Sequence, residues 1–416
     1  MRNAIRTLAA LLVMCGGWAS RAGAQQYPDV KVLADQPAAT LLLPYFEVNL
    51  SKSNGMNTIF SISNASATAI LAHVNVMTDE SVLALGFNIY LTGYDVSTIN
   101  MRDVISGNLP RTASAGQDPG DTISHKGPFS QDINFASCTG QLPLPALPAN
   151  YVTHMQNILT GNASAIYSGT CGGLNYGDNV ARGYITVDTV NNCTLRLPGD
   201  PAYYQNDITF QNTLWGNAYF LDTLNNTSRA APVVHIAANL TDPRTNTANR
   251  YTYYGRYNGW NANDHRQPLS TSYMARYKWA APFQNQPSLI VWRDPKINQV
   301  PFACGTFPSY SPLNQEGIVA FDEQEHPTVV TGTPFPAVTQ RTPVGTGVLP
   351  LPSGSGQIYL NLNTTIIPAG NNPTSDPAAS QAWVATVLSG AGANAYSAGA
   401  MAAQMDTAVN PSHFVP

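Results

Sequence analysis

Apolar and polar side chains alternate over two stretches in the first quarter of the chain. From Ile70 to Met77 every second residue is apolar, and His73 and Asn75 lie between apolar neighbours. The same alternation returns from Phe87 to Thr92. Because successive side chains of a strand point to opposite faces, a period of two predicts strands that bury one face.

Two shorter apolar runs precede these strands, at Leu41–Phe46 and Thr58–Ile62. The turn-forming sequences Ser53–Gly55 and Asn64–Ser66 separate the strands from one another. Four short strands at a spacing of about 8–12 residues predict a β-sandwich. A strand that ends in Ser-Asn ahead of an alternating hairpin resembles the immunoglobulin-like modules of exported bacterial proteins. The resemblance implies an immunoglobulin-like β-sandwich over residues 25–105.

A second β-rich block is predicted over residues 183–340, with turn clusters such as Asp242-Pro243 between its strands. The candidate strands are Tyr184–Val190, Asn217–Asp222, Val233–Ala238, Tyr251–Tyr257, Leu289–Arg293 and Gly317–Phe321. We therefore expect a mostly β chain, in which an immunoglobulin-like β-sandwich is followed by a second β-rich block, with a few short helices.

Helical signals are confined to two regions. Residues 106–182 are rich in Gly, Pro, Ser and Asp, and predict a loop-rich insertion with one short helix that begins at Pro148. Residues 341–416 predict a Pro/Gly-rich connector and a C-terminal helical tail. In the tail, Asp376 is a candidate helix cap, and Trp383–Leu388 supply an apolar side that would dock on the β core.

Residues 1–24 have the order of a secretory signal peptide. Arg2 and Arg6 precede the apolar run Leu8–Met14, and the small-residue site Ala22–Ala24 follows it. A transmembrane anchor would need about 18 consecutive apolar residues, and glycine, serine and arginine interrupt this run too early. We expect a mature chain without a transmembrane anchor that is secreted or periplasmic.

Four cysteines remain after the expected cleavage: Cys138, Cys171, Cys193 and Cys304. An even number in an oxidising compartment favours disulfides. Four cysteines allow three connectivities among which the sequence does not choose, and the pairing we favour is Cys138 with Cys171 and Cys193 with Cys304. Because no C-x-x-C or H-E-x-x-H spacing occurs, we predict neither a metal site nor a cofactor.

Charge is sparse, at 11% of residues against roughly 25% in an average soluble domain. Without the three arginines of the signal segment, 17 of the 20 basic residues remain beside 24 acidic ones, so the mature chain is acidic. Nucleic acid is therefore not an expected partner, since phosphate binding needs clustered Lys and Arg. The 32 Gly, 31 Pro and 20 Tyr favour turns and strands.

An aromatic group in the second block is the strongest candidate binding surface. Its members lie among Asn, Arg and Gln, and are Tyr251, Tyr253, Tyr257, Trp260, Tyr273, Tyr277 and Trp279. Aromatic faces beside amides and guanidinium groups suit the stacking of sugars, because the ring covers C–H groups while its neighbours bond hydroxyls. Packing in a β core, with the tyrosine hydroxyls at the rim, uses the same residues and is the interpretation that we favour over a binding platform.

Catalytic arrangements are weak in this sequence. The densest acidic groups are Asp79–Glu80 and Asp322–Glu325 beside His326, and since both follow candidate strands we expect them on exposed loops. Ser397 lies among small residues as in a nucleophile elbow, but the preceding strand and following helix that an elbow needs are not predicted there. A turn is the better interpretation of Ser397.

Five stretches give the mature chain a resemblance to a family of exported bacterial β-rich proteins with no assigned activity. They are Leu42–Glu47, Tyr90–Asp95, Gly183–Asp188, Leu289–Asp294 and Ala382–Val384. The resemblance implies export and β architecture, and it supplies no catalytic residues. We expect a disulfide-stabilised protein with a binding or structural role at the cell envelope or outside the cell. Its partner would be a glycan, an envelope polymer or a protein, and the alternative is a secreted hydrolase acting on an extracellular polymer.

Overall fold

The computed structural model describes most of the chain between Gln36 and Gln404. The described ranges are 36–200, 202–231, 233–241, 264–279, 287–294, 300–308, 313–315, 317–345, 347–352, 354–362, 381–390 and 396–404. Strand accounts for 43% and helix for 10%, which confirms the mostly β class. The signal-like residues 1–24 and the candidate strand 251–257 lie outside these ranges.

Eighteen strands run through the described ranges. They are β1 (Thr40–Asn49), β2 (Asn57–Asn64), β3 (Ile70–Thr78), β4 (Leu83–Leu91), β5 (Val96–Asn100), β6 (Val180–Val190), β7 (Leu214–Asp222), β8 (Thr227–Ala231), β9 (Val234–Ile236), β10 (Ser272–Trp279), β11 (Ser288–Arg293), β12 (Gly317–Asp322), β13 (Pro327–Val329), β14 (Thr339–Pro343), β15 (Gly354–Asn361), β16 (Ala382–Gly390), β17 (Tyr396–Met401) and β18 (Ala403–Gln404). The helical elements are α1 (Met101–Ile105), α2 (Ala149–Leu159), a π-helical turn (Tyr203–Asp207) and 3-10 turns at Ala136–Cys138 and Ala165–Tyr167. Every candidate strand that falls in the described ranges is confirmed.

The strands form four antiparallel sheets. Sheet 1 has the order β4-β3-β6-β1-β9, sheet 2 β5-β2-β7-β8, sheet 3 β14-β11-β16-β17 and sheet 4 β13-β12-β15-β10-β18. In sheet 1, β6 of the second predicted block lies between β3 and β1 of the first, and in sheet 2 β7 pairs with β2 in the same way. The two β-rich blocks therefore share their sheets, and residue 105 does not separate two independent cores.

Sheet 1 is buried on both faces. Through one face, Val74 and Val187 join the apolar cluster that contains Phe60 and Phe220 of sheet 2. The other face carries Leu71 and Tyr184, which join a cluster with the two tryptophans of sheet 3. A third cluster fills the space between sheets 3 and 4. Polar residues on the second face of sheet 1 therefore lie in the interior of the protein.

The predicted C-terminal helix is wrong, because Ala382–Gly390 form strand β16. Ala385 lies opposite Ile290 of β11, and both pack in the cluster shared with sheets 1 and 2. Val384 points the other way, into the cluster between sheets 3 and 4. A central strand buried on both faces reads as one continuous apolar run, and such a short run has no period that separates strand from helix. Ser397 lies in the neighbouring strand β17.

Two disulfides join the four cysteines, Cys138 to Cys193 and Cys171 to Cys304. The predicted pairing is therefore wrong, although all four cysteines are bonded as expected. The backbones of Cys171 and Phe302 pair through two hydrogen bonds of 2.9 Å, which brings Cys304 within reach of Cys171. Such long-range proximity arises from the folded chain, and the spacing of cysteines along the sequence does not report it. The protein therefore has a β-rich fold that is stabilised by two disulfides.

The helix predicted after the Pro-rich insertion is confirmed as α2. Pro148 takes the position before the first helical residue, and Met155, Ile158 and Leu159 are buried beneath the helix. Gly161 follows the helix with a left-handed φ of 72°, a conformation that glycine adopts without strain. None of the helices in the described ranges is both long enough and apolar enough to span a membrane.

Candidate ligand-binding cleft

A row of polar side chains crosses four strands on the second face of sheet 1. His73 lies opposite Asn88 of β4 and opposite Asp188 of β6, and Asp188 lies opposite Thr40 of β1. Each of the four is at most 1% exposed. Because unpaired polar groups are costly in the interior, such a row requires a dedicated set of hydrogen bonds.

Asp188 receives several of these bonds. The Thr40 hydroxyl donates to Asp188 Oδ1 at 2.5 Å, and the Tyr203 hydroxyl donates to Asp188 Oδ2 at 2.7 Å. Arg266 compensates the buried charge, with its Nε 3.8 Å from Asp188 Oδ1 and its Nη1 bonded to Asp264 Oδ1 at 3.0 Å. Two buried carboxylates thus flank one buried guanidinium, an arrangement that is stable only while all partners stay in place.

Asn88 links this row to the backbone at Thr194. Its Nδ2 donates to the Thr194 carbonyl at 2.9 Å, and its Oδ1 accepts from the Thr194 N–H at 3.3 Å. The same Oδ1 lies 2.9 Å from His73 Nδ1, so Nδ1 carries the proton and donates. Burial lowers the pKa of His73, which makes the neutral imidazole the resident form.

The π-helical turn Tyr203–Asp207 covers the polar row and connects it to the surface. Its first residue turns inward to Asp188, whereas its last residue, Asp207, accepts from the Thr194 hydroxyl at 2.7 Å and from Arg196 Nη1 at 2.9 Å. Single π-helical turns occur frequently at functional sites. The hydrogen-bond chain therefore runs from the core to Arg196.

Arg196 lies on the wall of an open cleft of about 820 Å³. The lining residues are Gln141, Asn192, Cys193, Thr194, Leu195, Arg196, Leu197, Gly199, Asp200 and Asp207. The Cys138–Cys193 disulfide and a 3.3 Å bond from Gln141 Nε2 to the Cys193 carbonyl hold one wall in place. The cleft thus combines a guanidinium, carboxylates, amides and exposed leucines on a braced frame.

The guanidinium of Arg196 is fixed at one end and open at the other. Its side chain is 45% exposed, whereas that of its partner Asp207 is 2% exposed. Apart from Nη1, its N–H donors have no hydrogen-bond partner among the described residues. A buried carboxylate that holds one edge of a guanidinium leaves the rest of the planar donor set presented to a ligand.

The structure places the predicted aromatic residues in different environments. Tyr251, Tyr253, Tyr257 and Trp260 lie outside the described ranges. Tyr273 and Tyr277 are buried between sheets 3 and 4, where the Tyr273 hydroxyl donates to the Ala382 carbonyl. Trp279 is half-buried against the same cluster and donates from Nε1 to the Val344 carbonyl at 3.1 Å. These three rings pack in the core or at its rim, and they do not line the cleft.

The two acidic groups differ in burial. Asp322 ends β12 and Glu323 follows it in the turn toward β13. Both side chains are partly exposed, as predicted, and Glu323 accepts from Arg276 at 3.1 Å. The prediction for Asp79 and Glu80 is wrong, since they are 3% and 0% exposed. The β3–β4 turn that carries them is covered by the chain after α2, where the Leu174 N–H donates to Asp79 at 3.1 Å.

The sequence did not predict the residues of the cleft. Arg196 and Asp207 stand eleven positions apart in a Pro- and Asn-rich segment without strand or helix period, and nothing in their spacing marks a pair. The described residues contain no group of three or more His, Cys, Asp or Glu positioned to hold a metal ion. No protein-family model, curated protein or solved structure matches this chain.

Proposed function

We propose that this protein is an exported binding protein that holds a carboxylate-bearing glycan in the cleft at Arg196. The observation that carries the proposal is the half-open guanidinium of Arg196, which is held by the buried carboxylate of Asp207 and faces the cleft. A planar fork of N–H donors matches the two oxygens of a carboxylate, and hydrogen bonds to charged groups are among the strongest in proteins.

The rest of the cleft suits the other groups of a sugar. Gln141, Asn192 and Asp200 offer amide and carboxylate groups to hydroxyls, and Leu195 and Leu197 are exposed beside them. Apolar side chains can cover the C–H surface of a sugar ring while polar neighbours bond its edges. An open cleft also admits a polymer that continues beyond both ends.

A binding role fits the cleft better than hydrolysis. A glycosidase needs one carboxyl group as an acid and another as a nucleophile or base, each free to reach the substrate. Asp207 is committed to Arg196 and Thr194, and Asp188 is fully buried among its own partners. Export is supported by the signal-like residues 1–24 and by the two disulfides, and it places the protein at the cell envelope or outside the cell.

Calorimetric titration of the mature chain, residues 25–416, with polygalacturonate and with uncharged dextran tests the proposal. We expect binding of polygalacturonate, weakened about tenfold or more by Arg196→Gln, because a charge-assisted hydrogen bond contributes about 1.5–3 kcal/mol. Arg276→Gln is the matched control, since it removes one exposed arginine on sheet 4. Equal affinity of wild type and Arg196→Gln, or release of sugar products, would refute the proposal.

A further inference from the structure

A second cavity, of about 460 Å³, adjoins the same part of the chain and is lined without charge. Of its twelve lining residues, six are apolar, four carry hydroxyls and two carry amides. A phosphate, carboxylate or ammonium group would find no opposite charge here. Apolar surface interleaved with hydroxyl and amide groups is the chemistry that recognises an uncharged, polyhydroxylated ring.

One hydroxyl of this neutral pocket is buried without a partner. Thr213 Oγ1 has no hydrogen bond within the described part of the chain, whereas Thr209 Oγ1 donates to Thr189 and Thr68 Oγ1 donates to Gln131. The backbone of Thr213 is held on both sides, since its N–H bonds to the Ala38 carbonyl and its carbonyl accepts from the Ala65 N–H. A buried hydroxyl left unpaired is costly, and a ligand hydroxyl would satisfy it.

Phe135 gives the neutral pocket an aromatic wall. The ring is half-buried and packs edge to face against Tyr90, with ring centroids 6.0 Å apart, so its orientation is fixed. An aromatic face covers the C–H side of a sugar ring, while Asn191 and Gln211 in the same lining offer amides to its hydroxyls.

The neutral pocket and the Arg196 cleft are built on the same two segments. Phe135 precedes Cys138 by three residues, Asn191 precedes Cys193 by two, and the Cys138–Cys193 disulfide ties the segments together. Cys193 lines the cleft and Asn191, two residues earlier, lines the neutral pocket, so the two sites are neighbours along one segment of the chain.

We infer that the neutral pocket is a second sugar subsite, which takes an uncharged ring of the glycan whose carboxylate binds Arg196. This inference rests on the proposed function. It specifies the ligand further as a heteropolymer in which an acidic sugar is followed by a neutral one. A ligand of this kind would place its charge in the cleft and its neutral ring against Phe135 and Thr213.

Uncharged hexasaccharides test the subsite alone. Cellohexaose, maltohexaose and chitohexaose are titrated into wild type and into the variants Thr213→Val and Phe135→Leu. We expect at least one of the three sugars to bind wild type, with a Kd raised about tenfold or more by Thr213→Val and by Phe135→Leu. Thr98→Val, at an exposed position of β5, is the matched control for loss of a threonine hydroxyl.

Hydrogen exchange locates the bound sugar and separates the two proposals. Protection of residues 131–135 and 209–213 in the presence of the hexasaccharide would support the subsite. Failure of all three sugars to bind, or unchanged affinity in both pocket variants, would overturn it. Polygalacturonate titrated into wild type and into Arg196→Gln reports on the Arg196 cleft alone. Failure of wild type to bind polygalacturonate counts against the proposed function, and failure of wild type to bind any of the hexasaccharides counts against the subsite. If Thr213→Val does not fold, Phe135→Leu still tests the subsite.

Discussion

His73 Nδ1 donates to Asn88 Oδ1 across the antiparallel pair β3 and β4, at 2.9 Å and within the core. Asn88 in turn bonds both the N–H and the carbonyl of Thr194, whose hydroxyl reaches Asp207. One amide side chain therefore connects the interior of sheet 1 to the wall of the cleft. Three polar groups of His73 and Thr194 bond to this side chain, which makes Asn88 the central member of the network.

Asn88→Ala should lower the free energy of unfolding by about 2–4 kcal/mol, because it leaves three buried polar groups on His73 and Thr194 without partners. Urea denaturation followed by tryptophan fluorescence measures the change. Asn108→Ala, at an exposed position, is the control. A loss below about 0.5 kcal/mol, typical of surface substitutions, would show that the network does not stabilise the fold.

Asp79 should make stability fall as the pH rises. Burial raises the pKa of this carboxyl from 3.8 to about 7, although the Leu174 N–H opposes the shift. Between about pH 4 and pH 7 the unfolded chain has lost this proton and the folded chain retains it. The contribution of Asp79 to the free energy of unfolding is therefore fully present below about pH 4. It falls by up to about 1.4 kcal/mol per pH unit as the pH rises, and it is lost once the pH has passed through 7.

Asp79→Asn should remove this dependence, since a neutral amide still accepts from Leu174. Urea unfolding of wild type and Asp79→Asn at pH 4.5, 6 and 8 measures the difference, which should grow in favour of the variant at the highest pH. Asp322→Asn is the control, because hydrogen bonds from His326 lower the pKa of Asp322 and give its contribution the opposite sign. Parallel pH profiles for wild type and Asp79→Asn would contradict the prediction.

Gly183 should tolerate no side chain. A Cβ at this position would lie 1.9 Å from the Met77 carbonyl oxygen, so β3 and β6 would have to separate. We expect Gly183→Ala to destabilise the protein by at least about 1–3 kcal/mol, as for other overpacked cores. Thermal unfolding monitored by circular dichroism measures this. Gly127→Ala, where a Cβ would meet nothing within 4 Å, should leave the melting temperature unchanged.

The two disulfides should differ in their effect on binding. Replacement of either pair by serine should cost about 2–4 kcal/mol of stability, since each closes a long loop. Only the Cys138→Ser/Cys193→Ser double variant should also weaken polygalacturonate binding, because Cys193 lines the cleft. Titration of both folded double variants at 15 °C measures this. Equal affinities would mean that the bridge does not shape the cleft.

Strands in which polar and apolar residues alternate could be predicted from the sequence, whereas a continuous apolar run did not by itself separate a strand from a helix. β3 and β4 show period two because His73 and Asn88 interrupt apolar positions, although both faces prove to be covered. β16 has a single polar residue, Thr386, between Ala382 and Leu388, which sets no period of two, and the sequence therefore predicted a helix for this run. This run forms a strand because neighbouring strands pair with it, and only the fold brings those neighbours together.

The binding site could be predicted from the sequence less well than the strands. Tyr273 and Trp279 lie in a segment with the composition of a binding surface, yet the packing of the sheets buries Tyr273 in the core and places Trp279 at its rim. Arg196 carries no signal of its own, because its proposed role depends on the burial of Asp207 at the end of the π-helical turn. Burial and the pairing of distant charges are properties of the tertiary structure, and local pattern does not encode them.

The position of β6 in sheet 1 also constrains the order in which the chain can fold. Thr40 and Asp188 are hydrogen-bonded neighbours that are 148 residues apart, so β1 and β3 have no strand between them until residues 180–190 emerge. Pairing of such distant segments is slow, and unpaired strand edges invite aggregation while it is pending. In a chain that crosses a membrane from its N-terminus, nearly half of the residues would cross before β6 follows. Until then β1 and β3 would lack the strand that lies between them. The export proposed above should therefore depend on factors that shield nascent strands.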